Sequence, residues 1–286
     1  MPLAETPDGG RVSGGSAAAS PIEVRHHGAG PPVAVLHGGP GAPGSAVSLA
    51  RSLAGEFSVL EPLQRRGGSV PLTVEQHVSD LVAAVGTPMP IIGWSWGAML
   101  GLSFAAIHPD RLRALVVVGC GTYDERSRAL YREAVARRLG PEGSARMAQL
   151  GARLDAAPAA EKDGVFAEMG RLAGAADAWE PIGDATGDLP ADAAGHAETW
   201  GDVLRLQESG IEPARFGAIR VPVLMIHGSE DPHPGAATRD VLAAFVPQVE
   251  YVEIPGCGHA PWLERTGREP FFAMLLPWLR RQAGSD

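Results

Sequence analysis

Cysteine is scarce in this chain. The two that occur, Cys120 and Cys257, stand at the ends of two different predicted strands, too few to suggest a secreted, disulfide-built protein. The opening run Met1-Pro2-Leu3-Ala4-Glu5-Thr6-Pro7-Asp8 lacks the charged-then-apolar order of a secretory leader, so the expected location is the cytoplasm. Positive charge is also in deficit: 24 Lys and Arg against 33 Asp and Glu leave a formal charge of −9. Phosphate binding needs a basic face, so nucleic acid is not an expected partner. No apolar run approaches the roughly 20 residues of a membrane span, and no membrane association is expected. His227 and His233 have no second pair of His or Cys ligands at a recognisable spacing, so no metal is expected, and no motif implies a cofactor. No internal repeat is apparent.

What the chain does have is Gly93-Trp94-Ser95-Trp96-Gly97, set between the apolar run Met89-Pro90-Ile91-Ile92 and Ala98-Met99-Leu100-Gly101-Leu102-Ser103-Phe104. That order reads as strand, sharp turn, helix, with the serine exposed at the helix N-terminus as a nucleophile. A serine hydroxyl is weak at neutral pH and needs a base, an acid that orients the base, and donors for the oxyanion it creates. The acid follows a predicted strand over 221–226, in His227-Gly228-Ser229-Glu230-Asp231; the base follows another over 251–254, in Pro255-Gly256-Cys257-Gly258-His259. Ser95, Asp231 and His259 are the candidate catalytic residues, with Glu230 the competitor for the acid. An imidazole of ordinary pKa, roughly 6–7, would set the acid limb of activity. Cys257 is read as incidental, because Ser95 already occupies the elbow. Trp94 and Trp96 either line a substrate pocket or pack the elbow.

Upstream, Val33-Ala34-Val35-Leu36 runs into His37-Gly38-Gly39-Pro40-Gly41. Together with the elbow, Gly228-x-x-Asp231 and Gly256-x-Gly258-His259, this sequence resembles the α/β-hydrolase superfamily, most closely its proline iminopeptidase-like branch. Gln64-Arg65-Arg66-Gly67-Gly68-Ser69 and His108-Pro109-Asp110-Arg111-Leu112 are similar to further segments of that branch. The resemblance covers roughly residues 32–121 and 219–283 and implies an α/β-hydrolase fold, a mostly parallel doubly wound sheet with an inserted helical cap. It implies an oxyanion hole from the backbone N–H groups of Gly39 and Trp96, with His37 supporting that loop. It also implies cap carboxylates that bind a substrate amine, for which Glu180 and Glu198 are candidates. The elbow is GWSWG rather than the branch's GGSWG, and the segment at Gln64 lacks the branch's leading Asp. The substrate therefore stays open between a short peptide or aminoacyl amide and a small-molecule ester, thioester or lactone, and a noncatalytic ligand-binding protein of the same fold is the reading from a different class.

The remaining pattern fits this division. Asp8 to Ser20 is rich in Gly, Ser and Ala, and residues 1–20 read as a flexible lead-in. Residues 21–121 and 216–286 read as the core. Pro21 to Arg25 alternates like an edge strand, Val74, Val78, Leu81, Val82 and Val85 mark one face of a helix, and Ala114 to Val118 is a continuous apolar run suited to a central strand. Residues 122–215 change texture and read as the cap, with helices over 124–139, 144–155, 160–172 and 197–208 and a stop at Gly140-Pro141. Phe271, Phe272, Leu275, Leu276 and Leu279 predict a last helix that Pro277 kinks or ends.

Overall fold

The apolar runs form the middle of one sheet. In the computed structural model, which describes residues 22–284, seven strands lie side by side: β1 (Val24–His27), β2 (Pro32–Leu36), β3 (Ser58–Pro62), β4 (Met89–Trp94), β5 (Leu112–Val118), β6 (Val223–Gly228) and β7 (Val249–Ile254). Their order is β1-β3-β2-β4-β5-β6-β7; β1 pairs antiparallel to β3 at the edge and the other pairings are parallel. The lead-in expected over residues 1–20 lies outside the described residues.

β5 shows why the central runs do not alternate. Leu115 and Val117 enter the core on one face, while Ala114, Val116 and Val118 enter the core on the other. A strand covered by helices on both sides has no polar face to show, and each Val or Leu so buried contributes roughly 1.5–3 kcal/mol. The first face is covered by α2 (Val74–Val85), capped by the Thr73 side chain, and α3 (Trp96–Ile107). The second is covered by α1 (Val47–Leu53) and the last helix, α8 (Arg268–Ala283). α8 runs on through Pro277, because buried Phe271, Leu275, Trp278 and Leu279 hold it against the sheet on either side of the missing N–H.

Between β5 and β6 the chain leaves the sheet to form an inserted helical cap: α4 (Glu125–Ala156), α5 (Ala159–Asp177) and α6 (Ala193–Glu208). α4 is broken where the sequence predicts, at Gly140, whose φ of 65° and ψ of −176° are not helical. After β6 comes α7 (Gly235–Ala243). Among the described residues no helix is long and apolar enough to cross a membrane.

Register brings the functional loops together. Leu36 pairs with Gly93, Trp94 with Val118, Val118 with Ile226 and Gly228 with Ile254, so β2, β4, β5, β6 and β7 end in one row. The chain order reverses across β3-β2-β4, and it is outside the carboxyl ends of such a sheet that ligands bind.

Candidate active site

Ser95 follows the last residue of β4 and precedes the first of α3. Its backbone, at φ 56° and ψ −119°, is the one positive-φ non-glycine among the described residues. Such a conformation costs on the order of 1–3 kcal/mol and persists only when the surroundings impose it. They do so here by close approach: a Cβ on Gly93 would lie 2.6 Å from Ala98 Cα, and one on Gly97 2.6 Å from His37 O. Strand, loop and helix therefore press together only because both positions lack a side chain. The Ser95 N–H donates to Val118 O at 2.9 Å. Trp96 is the first residue of α3, so its N–H has no carbonyl within its own helix to bond.

The loop after β2 lies against the elbow. A Cβ on Gly38 would be 3.4 Å from Ser95 Cβ and 3.0 Å or less from the Trp94 ring. His37 holds this loop: its Nε2 accepts the Gln64 N–H at 3.1 Å, which leaves Nδ1 to donate to Gly38 O at 2.8 Å. Burial lowers the His37 pKa to about 4, so the ring stays neutral in that role. From the cap, His196 Nδ1 meets Pro40 O at 3.0 Å, and Asp192 N–H donates to Gly41 O at 2.9 Å.

Asp231, buried in the loop after β6, accepts His259 Nδ1 on Oδ2 at 2.8 Å. Its other oxygen accepts both the His233 N–H, at 2.9 Å, and the His233 ring, at 3.0 Å. Burial alone would raise this carboxyl's pKa, but the two histidines hold it well below the usual carboxylate range. Glu230 instead faces Arg138, 3.8 Å away. The His259 ring lies over Gly119, where a Cβ would come within 2.8 Å of it. Val118 O takes the Ser95 N–H, so His259 and Ser95 share adjacent anchors at the end of β5. Burial lowers the His259 pKa, but the charge and hydrogen bond of Asp231, with a further contribution from Asp177, outweigh it and lift the value to about 9. An imidazole of ordinary pKa is therefore not what the site holds.

His233 stacks on His259 with ring centroids 4.4 Å apart, and the ring of Tyr131 of α4 lies tilted against His233 at 4.3 Å. Asp231, His233 and His259 are the grouping of metal-binding dimensions among the described residues, with donor atoms within 4.8 Å of one another. The two imidazoles meet different oxygens of Asp231 through their Nδ1 atoms, so hydrogen bonding accounts for the arrangement.

A family model described as alpha/beta hydrolase fold matches residues 72–266. The chain belongs to the α/β-hydrolase family. This α/β hydrolase is similar to the pimeloyl-[acyl-carrier protein] methyl ester esterase of Chromobacterium violaceum, at 27% identity over 245 residues, 82% of this chain and 89% of that one. Among solved structures it is similar to a thermophilic esterase from Thermogutta terrifontis, with a TM-score of 0.61, 21% identity and coverage of 93% and 97% of the two chains. It is likewise similar to the proline iminopeptidase of Mycobacterium smegmatis, with a TM-score of 0.58, 22% identity and coverage of 91% and 94%. The two structural likenesses show the shared fold.

In this α/β hydrolase the two carboxylates expected to bind a substrate amine are exposed and engaged with other groups of the protein. Glu180 is exposed and accepts the Thr266 hydroxyl at 2.9 Å. Glu198 is exposed on α6 and accepts the Leu72 N–H at 3.0 Å, beside an open groove of about 380 Å³ lined by Ser69, Pro71, Leu72, Thr73 and Arg205. Trp94 is a packing residue: its Nε1 donates to His259 O at 3.0 Å and its ring meets Trp262 edge-on at 5.3 Å. Trp96 is too, with Nε1 on Gln64 Oε1 at 2.6 Å. A cap carboxylate beside the loop of His259 is Asp177, the last residue of α5, whose backbone carbonyl accepts the His259 N–H at 3.0 Å. Its sequence surroundings, Gly174-Ala175-Ala176-Asp177-Ala178, carry no motif that could have marked it.

Proposed function

We propose that this α/β hydrolase cleaves a carboxylic ester of a small molecule through an acyl-enzyme on Ser95. The observation that carries the reading is the 2.8 Å contact of His259 Nδ1 with Asp231, which leaves the opposite ring nitrogen, Nε2, free to act as the base for Ser95. Ser95 Oγ attacks the ester carbon while His259 Nε2 takes its proton. The tetrahedral oxyanion is received by the N–H groups of Trp96 and Gly39, each such donor contributing roughly 3–4 kcal/mol. Collapse breaks the bond to the alkoxy group, which leaves with the proton from His259. Water, deprotonated by the same nitrogen, then attacks the acyl-enzyme and releases the acid and Ser95. Asp231 fixes the tautomer and stabilises the imidazolium throughout.

Two observations favour an ester over an aminoacyl amide. The Chromobacterium violaceum relative is by name a methyl ester esterase. An exopeptidase must pair a substrate ammonium in a partly dry pocket, and Glu180 and Glu198 are both exposed and engaged with Thr266 and Leu72. Hydrolysis of short-chain p-nitrophenyl esters and of proline p-nitroanilide, with Ser95→Ala as the blank, tests this. Ester turnover that vanishes in the variant is expected, with anilide turnover at the blank. Ester turnover that persists in Ser95→Ala overturns the nucleophile, and anilide turnover in excess of ester turnover moves the protein to the peptidase branch.

A further inference from the structure

We propose that Asp177 is a second carboxylate of the catalytic histidine, a positioning residue whose shielded negative charge favours the imidazolium form of His259. This rests on the serine-hydrolase reading above and deepens it. The end of α5 is fastened to the catalytic loops on several sides. The Asp177 carbonyl takes the His259 N–H, and a Cβ on Gly258 would lie 2.6 Å from that same carbonyl oxygen. Glu264, buried, receives the N–H groups of Trp179 and Glu180 at 2.9 and 2.6 Å. Arg138 of α4 donates to the carbonyls of Ala176, Ala178 and Glu230, tying this segment to the loop of the acid, and it stacks on Trp179 at 5.3 Å.

Held in this way, Asp177 Oδ1 is shielded from solvent and has no hydrogen-bond donor among the described residues. A desolvated carboxylate oxygen without a donor is costly, and burial raises the Asp177 pKa against the opposing pull of His259, His233 and Arg138. The charged and titratable groups around it are Arg138 and Tyr131 from α4, Asp231 and His233 from the loop after β6, and His259 from the loop after β7. Asp231 is committed on both oxygens, and burial keeps His227 neutral with its pKa lowered to about 4. In the active form, where His259 is neutral, a cation is created beside Asp177 when His259 accepts the proton of Ser95. The interaction is thus stronger in the transition state than in the neutral-histidine form that reacts, which is the condition for it to accelerate the reaction from that form.

The test reads the His259 ring directly. In histidine-labelled full-length protein, the NMR titration of His259, assigned by its loss in His259→Gln, is followed in the wild type, Asp177→Asn and Asp177→Ser. A neighbouring opposite charge is typically worth about one unit of pKa or more, so a downward shift of that size is expected in both variants, with the acid limb of kcat/KM on an aryl ester moving in step. Asp177→Glu, which keeps the charge, is expected to stay near the wild type. A His259 titration that does not move in either folded variant overturns the proposal, and a lowered melting temperature with an unmoved titration shows a structural role only. Because the NMR readout needs no turnover, a wild type in which Ser95 proves unreactive defeats the serine-hydrolase reading while the titration still decides for or against Asp177.

Discussion

His259 can accept the proton of Ser95 only while it is neutral. Its folded pKa of about 9 lies above the ordinary imidazole value, so kcat/KM is expected to rise with pH through about 9 rather than level off above 7. A pH–rate profile on an aryl ester checks this, and a plateau reached by pH 7 would contradict the charge environment described here. Asp231→Asn removes the acceptor that fixes the ring tautomer and is expected to cost roughly 10⁴-fold in kcat. Glu230 faces Arg138 rather than His259, so Glu230→Gln is expected to leave kcat within a few-fold of the wild type. Equal losses in the two variants would remove the distinction between these neighbours.

Elements meet at the elbow with no slack, and a methyl group is enough to test it. In Gly97→Ala the new Cβ would sit 2.6 Å from a backbone oxygen, where nothing flexible can yield, so a destabilisation of about 1–3 kcal/mol and a large loss of activity are expected. Gly164 in α5 has nothing within 4 Å of its would-be Cβ, and Gly164→Ala is expected to stabilise by about 0.5–1 kcal/mol through helix propensity. Chemical denaturation of both variants measures the contrast; equal effects would show that the elbow is not the tight contact described. The same tightness explains what the sequence discloses. Buried parallel strands have no polar side, so β4, β5 and β6 stand out as apolar runs, and loops that must pass close to one another carry glycine at recognisable spacings. β3 does not stand out, because Glu61 and Pro62 interrupt a five-residue strand whose place depends on pairing with β1 and β2. α1 and α7 are short and likewise do not stand out. Legibility ends at the cap. Which of its carboxylates reaches the catalytic loops depends on how α5 and the turn after it lie against the loop of His259, and that is fixed by long-range contacts of Arg138 and Glu264 rather than by local pattern.

For the molecule as a whole, shifted groups set a stability optimum. His37, His77 and His227 have folded pKa values lowered by burial to about 4, so the unfolded chain binds protons that the folded one refuses as pH falls from about 6.5 towards 4, and stability is lost over that range. Glu212 acts in the opposite sense: burial raises it to about 7, so stability falls as pH rises from about 4.5 to 7. His259, raised to about 9, adds stability below its ordinary pKa that is lost as pH rises to 9. Three histidines outweigh one carboxyl on the acid side, which places maximum stability near pH 6.5. Melting temperatures from pH 4 to 9 check this, and Glu212→Gln is expected to raise Tm at pH 8 while leaving it near the wild type at pH 4.5. In the proposed mechanism the fold and its loops together activate one serine. Treatment with a fluorophosphonate probe followed by peptide mapping tests this: a single adduct on Ser95 is expected, absent in Ser95→Ala and formed far more slowly in His259→Ala, whereas an adduct on any other residue, or labelling of Ser95 that is indifferent to the loss of His259, would contradict it.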